Sequence, residues 1–222
     1  MTTTTQLLAF DELNAYGKAN AMSRYNDAPD DWADEITANA KRDGPARGFD
    51  VEEVLWSGFH SQGDGASWTG SIHMPTFIEY HNKPNSEDFS KYVVLAELIK
   101  DGWTEKCVTV DRRAYFYNHS GTMRVDDIHD NFYNASEDGT TCIDAGILEG
   151  ADVFALIQSI DAYSMLHELQ DWMESKARAY ADEIYKQLRD EYDAYTSEER
   201  FKEVCDINDW RFDHRGLLIE QE

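Results

Sequence analysis

The sequence predicts an α+β fold, in which an antiparallel sheet built from hairpins packs against several helices, including a long C-terminal helix. Three observations support this prediction. Helical and strand-like periodicities occur in separate runs rather than in βαβ alternation. Two pairs of strand-like segments flank turn residues, which is typical of hairpins. Helical spacing continues over residues 151–208, the expected helical C-terminal part of a single domain over residues 1–222.

The N-terminal segment predicts an amphipathic helix. Apolar residues such as Phe10, Leu13 and Ala19 recur near helical spacing between Leu7 and about Tyr25. Their shared face is expected to be buried in the core.

A second helix is expected after Pro29. Asp30 and Asp31 lie at its beginning, and Lys41 and Arg42 lie in its last turn. This order places acids near the positive end of the helix dipole and bases near the negative end.

The next segment predicts the first hairpin, because residues 49–59 and 67–74 both show strand-like patterns. The turn between them contains Ser61, Gln62, Gly63, Asp64 and Gly65. An Asp-Gly pair accepts positive φ, so we interpret this segment as turn architecture. It lacks the spacing and the lysine of a phosphate loop. Ser61, Gln62 and Asp64 are the side chains in this turn that could serve a ligand or a partner, and Gly58 and Gly70 indicate a bulge or a close backbone approach.

The middle of the chain predicts a helix capped by Ser86 and ended by Gly102, followed by a second hairpin around Asn118 to Gly121. A long helical region is then expected from about Ala151 to Tyr195.

The C-terminal segment predicts one more helix and a final strand or hairpin. Thr196–Glu199 reads Thr-Ser-Glu-Glu, a capping box that opens a short helix to about Cys205. Residues 209–220 follow as the strand or hairpin.

The charge of the chain limits its partners. Forty-four acidic residues against 20 basic ones give a net charge of −24 at pH 7. Such a field repels nucleic acid and anionic membranes, so we expect no direct contact with either. Three interpretations compete: solubility, salt adaptation, which the aromatic content disfavours, and docking on a basic protein surface. In its extreme form, such docking mimics nucleic-acid phosphates.

No catalytic or metal-binding residues are predicted. The three cysteines form no CxxC pattern, and no GxSxG or HExxH motif occurs. His119 and His129 could approach Asp126, Asp127 or Asp130 across the second hairpin, but the histidines lack ligand spacing. We therefore expect neither metal nor cofactor. The N-terminus shows no signal peptide and no window has transmembrane length, which favours a cytoplasmic location.

Acidic segments supply the candidate partner-binding residues, which we place on solvent-facing positions. They are Asp27, Asp30, Asp31, Asp34, Glu35, Asp126, Asp127 and Asp130.

Two motifs resemble a family of uncharacterised bacteriophage proteins. Residues 56–66 read Trp-Ser-Gly-Phe-His-Ser-Gln-Gly-Asp-Gly-Ala, and residues 188–199 end in Tyr-Thr-Ser-Glu-Glu. The resemblance spans most of the chain and implies a phage source. It implies no chemistry.

The leading functional hypothesis is a phage protein without catalysis that inhibits a host nucleic-acid-handling or defence complex in the host cytoplasm. Its partner would be a host protein with a basic surface. Two alternatives remain open: a small hydrolase or nucleic-acid-modifying enzyme with a site near Ser61–Asp64, and a phage structural or accessory protein. The oligomeric state is not predicted.

Overall fold

A computed structural model describes residues 7–29, 31–113, 118–128, 155 and 157–219. Its α-helices are α1 (Ala15–Tyr25), α2 (Asp34–Asp43), α3 (Met74–His81), α4 (Phe89–Lys100), α5 (Ala162–Tyr195) and α6 (Glu198–Ile207). Its strands are β1 (Phe49–Ser57), β2 (Gly65–His73), β3 (Cys107–Arg112), β4 (Met123–Val125), β5 (Arg211–Phe212) and β6 (Leu218–Ile219). The fold is α+β with an antiparallel sheet, as the sequence predicts.

The main sheet is an antiparallel meander in the order β1-β2-β3-β4. In its register, Phe49 lies opposite Ile72, and Val110 lies opposite both Gly70 and Val125. Both predicted hairpins are confirmed.

The described chain forms two compact units. Met1–Glu35 and Gln187–Glu222 make up the terminal unit, and Ile36–Lys186 make up the central unit. Helices α2 and α5 contribute residues to both. Whether the chain folds as a single domain stays a prediction.

Aromatic side chains form the core of the central unit where β1 and β2 meet α5. Phe49 and Trp68 are buried with ring centroids 5.5 Å apart, and the Tyr180 ring stacks on Phe49 at 5.2 Å. The indole Nε1 of Trp68 donates a hydrogen bond of 3.1 Å to the carbonyl of Ala177. The hairpin is therefore held to the helix by both apolar packing and a satisfied polar group.

The terminal unit has a smaller core of its own. Phe10, Phe201 and Phe212 are buried, and the Phe10 ring lies 5.1 Å from the Phe201 ring in an edge-on arrangement. The β5–β6 hairpin confirms the predicted end of the chain.

The first helix begins later than predicted. The side chain of Asn14 accepts a hydrogen bond from the backbone N–H of Gly17, so α1 starts at Ala15. Leu8 instead pairs with Phe212 through two backbone hydrogen bonds of 2.9 Å. Ala19, expected on the buried face, is exposed. A local cap and a strand-like pairing thus override the apolar periodicity.

Ser86 does not cap α4, contrary to prediction. Its hydroxyl donates to the side chain of Asn82 and to the carbonyl of Lys83, and the helix begins at Phe89. The expected end is confirmed, since Gly102 has φ +95° just after the helix.

The long C-terminal helix begins at Ala162 rather than near Ala151. Residues 157–159 are helical, but Asp161 has φ +51° and separates them from α5. Residues 151–154 and 156 lie outside the described residues. The short helix after α5 is confirmed, but the capping box of Thr196 and Glu199 is wrong. Ser197 caps α6, because its hydroxyl accepts a 3.2 Å hydrogen bond from the backbone N–H of Arg200, while the Thr196 hydroxyl donates to the Tyr192 carbonyl.

Gly70 lies at a β-bulge, as the sequence indicates. The β1–β2 register shifts between Val51 and Glu53, and Gly70 has φ +147°. A Cβ at this position would lie 2.0 Å from the carbonyl oxygen of Asp50. Only glycine fits here, because both the φ value and the close backbone exclude a side chain.

We predict that Gly70→Ala destabilises the protein by at least about 3 kcal/mol, because backbone atoms rather than a flexible side chain oppose the new Cβ. Urea unfolding followed by circular dichroism measures the loss. Ser71→Ala, on the neighbouring half-buried residue, is the matched control and should stay within about 0.5 kcal/mol of wild type. Equal stability of the two variants would contradict the bulge.

Candidate functional site

The motif loop, residues 58–64 between β1 and β2, is closed by its own aspartate. The Asp64 carboxylate accepts hydrogen bonds from the backbone N–H groups of His60 at 2.8 Å and Ser61 at 2.5 Å. The Asp64 N–H in turn donates to the Ser61 carbonyl at 3.1 Å. These three bonds fix the reversal, so Asp64 has a structural role in the loop.

Aromatic rings brace the loop against α5. The Phe59 ring stacks between Trp56 at 6.0 Å and Tyr185 at 5.5 Å. The Tyr185 hydroxyl also donates a 2.8 Å hydrogen bond to the carbonyl of Gly58. The base of the loop is therefore anchored to a helix more than a hundred residues away in sequence.

The second hairpin braces the other side of the loop. The Asn118 side-chain amide donates to the Trp56 carbonyl at 3.1 Å, and Arg112 donates to Asn118 Oδ1 at 2.6 Å. A Cβ on Gly65 would lie 2.5 Å from Cβ of His119. Close approach of the two hairpins thus requires glycine at the end of the motif.

The bracing leaves the tip of the loop open to solvent. His60, Ser61 and Gln62 are exposed, Gly63 is half-buried and Gly65 is buried. The motif is mainly architecture, and its exposed tip can supply only imidazole, hydroxyl and amide groups to a partner.

Asp27, Asp31, Asp34 and Glu35 are exposed in the terminal unit. Asp34 and Glu35 occupy the first turn of α2, where carboxylates also favour the helix dipole. These four acids lie in one short stretch of the chain, and the structure leaves all of them exposed.

The second group of predicted acids lies in the central unit, after β4. Asp126 lies 3.6 Å from Arg124, and Asp127 accepts a 3.1 Å hydrogen bond from Gln170. Asp30 and Asp130 lie outside the described residues. Asp126 and Asp127 thus already have partners within the unit.

A cavity of about 260 Å³ opens beside the segment that connects α3 to α4. It is lined by residues that include His81, Asn82, Ser86, Asp88, Tyr92 and Trp172. Burial, and next the positive charge of Lys176, lowers the pKa of His81 to about 4. The His81 ring packs 4.5 Å from Phe77, so it is held neutral at physiological pH within an aromatic cluster.

Within the described ranges, no three His, Cys, Asp or Glu side chains lie close enough together to hold a metal ion. His129, which the sequence places near the second hairpin, lies outside those ranges. None of the described helices combines the length and the apolar character needed to cross a membrane.

Sequence reasoning missed the side chains that hold the motif loop. Tyr185, Asn118 and Arg112 reach it from distant segments, and no local signal connects them to the motif. The buried environment of His81 likewise depends on tertiary packing, which no local pattern indicates.

A family model described as a domain of unknown function (DUF8835) matches residues 32–198. No curated protein and no solved structure matches the chain. The matched range includes the main sheet and the motif loop.

We predict that Asp64→Ala lowers stability by about 1–2 kcal/mol, because two backbone N–H groups lose a charged acceptor in a half-exposed site. Thermal and urea unfolding measure the change. Gln62→Ala, at the exposed tip, is the control and should have little effect. If Asp64→Ala keeps wild-type stability, the loop does not depend on its aspartate.

We also predict that the melting temperature falls as the pH is lowered from 6.5 to 5. The protonation of His81 in the unfolded chain contributes to this fall. Its pKa is about 4 in the folded chain and near 6.5 when unfolded. The unfolded state therefore takes up the proton first, so the contribution is present above pH 6.5 and is lost progressively towards pH 4. His81→Phe should show a shallower fall, whereas Tyr92→Phe, in the same cavity, should keep the wild-type slope. Identical slopes for His81→Phe and wild type would exclude this role.

Proposed function

We propose that the chain, which belongs to the family of the domain of unknown function DUF8835, is a phage-encoded acidic binding protein without catalysis. In this proposal it inhibits a host complex that handles nucleic acid or acts in defence, by docking on a basic surface of that complex in the host cytoplasm. Nucleic-acid mimicry is the extreme form of such docking.

The main support for the proposal is that the basic side chains are largely paired with acids of the protein itself. More than half of the 20 lysines and arginines form ion pairs with acids of their own unit. Examples are Arg47 with Glu183 at 2.7 Å and Lys18 with Glu198 at 2.8 Å. Since acids outnumber bases by 24, the outward field is strongly negative.

Exposed carboxylates are the groups through which this negative field would attract a basic partner. Asp27, Asp31 and Glu35 lie within nine positions of each other and are all exposed. At ionic strengths near 0.1 M, charges act over about 10 Å, so such a group steers a basic partner before contact. Binding by this surface should weaken steeply as salt is added.

The outer face of α5 supports mimicry in part. Its exposed acids in the central unit are Glu168, Asp171, Asp182 and Glu183. Carboxylates three, four or seven positions apart along a helix recur at about 5–10 Å, a range that DNA phosphates share. Lys176 and Arg178 interrupt this row, so docking on a basic surface is supported better than a full phosphate lattice.

Removing the exposed acids at the start of the chain should weaken partner capture. We predict that Asp27→Asn/Asp31→Asn/Glu35→Gln lowers affinity for a basic protein captured from host lysate at low salt by at least about tenfold. Surface plasmon resonance against the purified partner measures the change. Heparin or DNA should displace the wild-type chain if the partner handles nucleic acid.

The matched control removes the same charge elsewhere. Glu87→Gln/Asp101→Asn/Glu105→Gln alters three exposed acids of the central unit and should stay within about threefold of wild type. Equal losses for the two triple variants would mean that only bulk charge matters. Capture of no basic protein at low salt would refute the proposed function.

A further inference from the structure

The cavity beside the segment that connects α3 to α4 is built from four parts of the central unit. His81 ends α3, residues 82–88 form the connecting segment, Tyr92 lies in the first turn of α4, and Trp172 belongs to α5. The volume of about 260 Å³ lies just below the ~300–1,000 Å³ that is common for pockets of drug-sized molecules. The cavity therefore has room for a group of one or two fused rings.

Hydrogen bonds within the connecting segment fix the shape of the cavity. Asn82 is buried, and its side-chain amide donates a 2.9 Å hydrogen bond to the Phe89 carbonyl. The Ser86 hydroxyl lies 3.1 Å from Oδ1 of Asn82 and 2.9 Å from the Lys83 carbonyl oxygen. Because these groups are already held by the fold, little conformational entropy is lost in this wall when a ligand binds.

Three half-buried aromatic side chains line the cavity. The Trp172 ring lies 5.1 Å from the Tyr92 ring at an angle of 53°, and 6.3 Å from the His81 ring at an angle of 72°. Aromatic rings pack favourably in offset-stacked or edge-on arrangements with centroids about 4.5–7 Å apart. Tilted walls of this kind are suited to a flat aromatic ligand.

Charges of opposite sign lie near the two ends of the cavity. Burial lowers the pKa of His81 most, and the positive charge of Lys176 lowers it further. Burial also raises the pKa of Tyr92 most, and the negative charges of Glu168 and Asp88 raise it further. An ion of either sign would meet a like charge at one end, and it would also lose hydration in the cavity. The surroundings therefore favour a neutral ligand.

His81 supplies a directional polar contact. One ring nitrogen of this neutral imidazole donates a hydrogen bond to the Arg47 backbone, so the other nitrogen can only accept. The accepting nitrogen is Nε2, which is buried and has no hydrogen-bond partner among the described residues. A ligand that carries an N–H group would supply the donor for this nitrogen.

We propose that this cavity binds a neutral heteroaromatic ligand of one or two fused rings, which packs against Trp172 and Tyr92 and donates a ring N–H to Nε2 of His81. Indole and purine rings share this chemistry. The site uses none of the carboxylates assigned to docking, so the inference does not depend on the proposed function.

The experiment titrates the full chain at pH 7 with indole and follows the imidazole nitrogens of ¹⁵N-histidine-labelled protein by NMR. Benzofuran is the matched probe, because an oxygen replaces the N–H in a ring system of nearly the same shape. Indole should shift the Nε2 resonance of His81 and bind at least about threefold more tightly than benzofuran, which is the gain expected from one hydrogen bond. Equal affinities of the two probes would overturn the inference.

A parallel titration with adenine distinguishes the two sources of the ligand chemistry. Tighter binding of adenine than of indole, with the same shift of the His81 resonance, would assign the site to a purine. Tighter binding of indole would assign it to an indole-like ring. Binding of neither ring would overturn the inference.

Two variants with the same substitution test the role of His81. His81→Phe keeps a ring in the wall and removes the acceptor, so it should lower the affinity for indole to that for benzofuran. The affinity for benzofuran should stay within about twofold of wild type. His60→Phe, at an exposed position of the motif loop, is the matched control and should change neither affinity. Equal losses of indole and benzofuran binding in His81→Phe would overturn the hydrogen bond, and the comparison of the two probes on wild type decides if this variant does not fold.

Charged probes test the preference for a neutral ligand. Tryptamine and indole-3-acetate carry opposite charges on the same ring system, and each should bind less tightly than indole. Tighter binding of tryptamine that added salt removes would identify a cation site and overturn the inference. Tighter binding of indole-3-acetate would overturn it in favour of an anion site.

Discussion

The central unit depends on the contact between α5 and the β1–β2 hairpin. The Tyr180 ring stacks on Phe49, and the indole of Trp68 donates to a carbonyl of the same helix. On either side of these contacts along the helix, Glu174 binds the edge of β4 and Tyr185 holds the motif loop. One helix therefore sets the position of the first hairpin, the motif loop and the far sheet edge together. A change that moves α5 relative to the sheet would disturb all three.

The net charge of −24 acts against this fold rather than for it. Exposed ion pairs such as Lys100 with Glu97 each contribute about 0–1 kcal/mol, and excess acids repel one another. The aromatic core must therefore supply most of the stabilisation, since burial of large apolar side chains is the dominant favourable term. A chain that tolerates this repulsion gains solubility and a long-range field. The proposed docking depends on this long-range field.

Local chemistry made part of the fold predictable from sequence. Alternating residues with glycine between them predicted the first hairpin, and the Thr-Ser-Glu-Glu segment at Thr196–Glu199 predicted the start of α6 to within one residue, although Ser197 rather than Thr196 is the cap. Gly102 and Gly70 were assigned their roles because positive φ and close backbone approach select glycine. Each of these signals lies within a few residues of the structure that it specifies.

The sequence-based predictions of helix starts were wrong where a polar side chain had more than one possible local hydrogen-bond partner. Contacts of the motif loop were missed because the contacting residues are distant in sequence. Asn14 rather than an earlier residue caps α1, and Ser86 bonds back to Asn82 instead of capping α4. The pattern of apolar residues cannot distinguish these alternatives, because hydroxyl and amide groups compete for the same backbone groups. The bracing of the motif by Tyr185 and Asn118 joins segments far apart in sequence. A single sequence holds no record of such pairs.

The motif loop gives the first hairpin a physical role beyond the reversal of the chain. A tight two-residue turn would suffice to join two antiparallel strands. The chain instead has a seven-residue loop that Asp64 closes and that Tyr185 and Asn118 brace. This additional bracing fixes the end of β1 beyond its bulge between Val51 and Glu53, so α5 and the second hairpin converge on the same end of the strand.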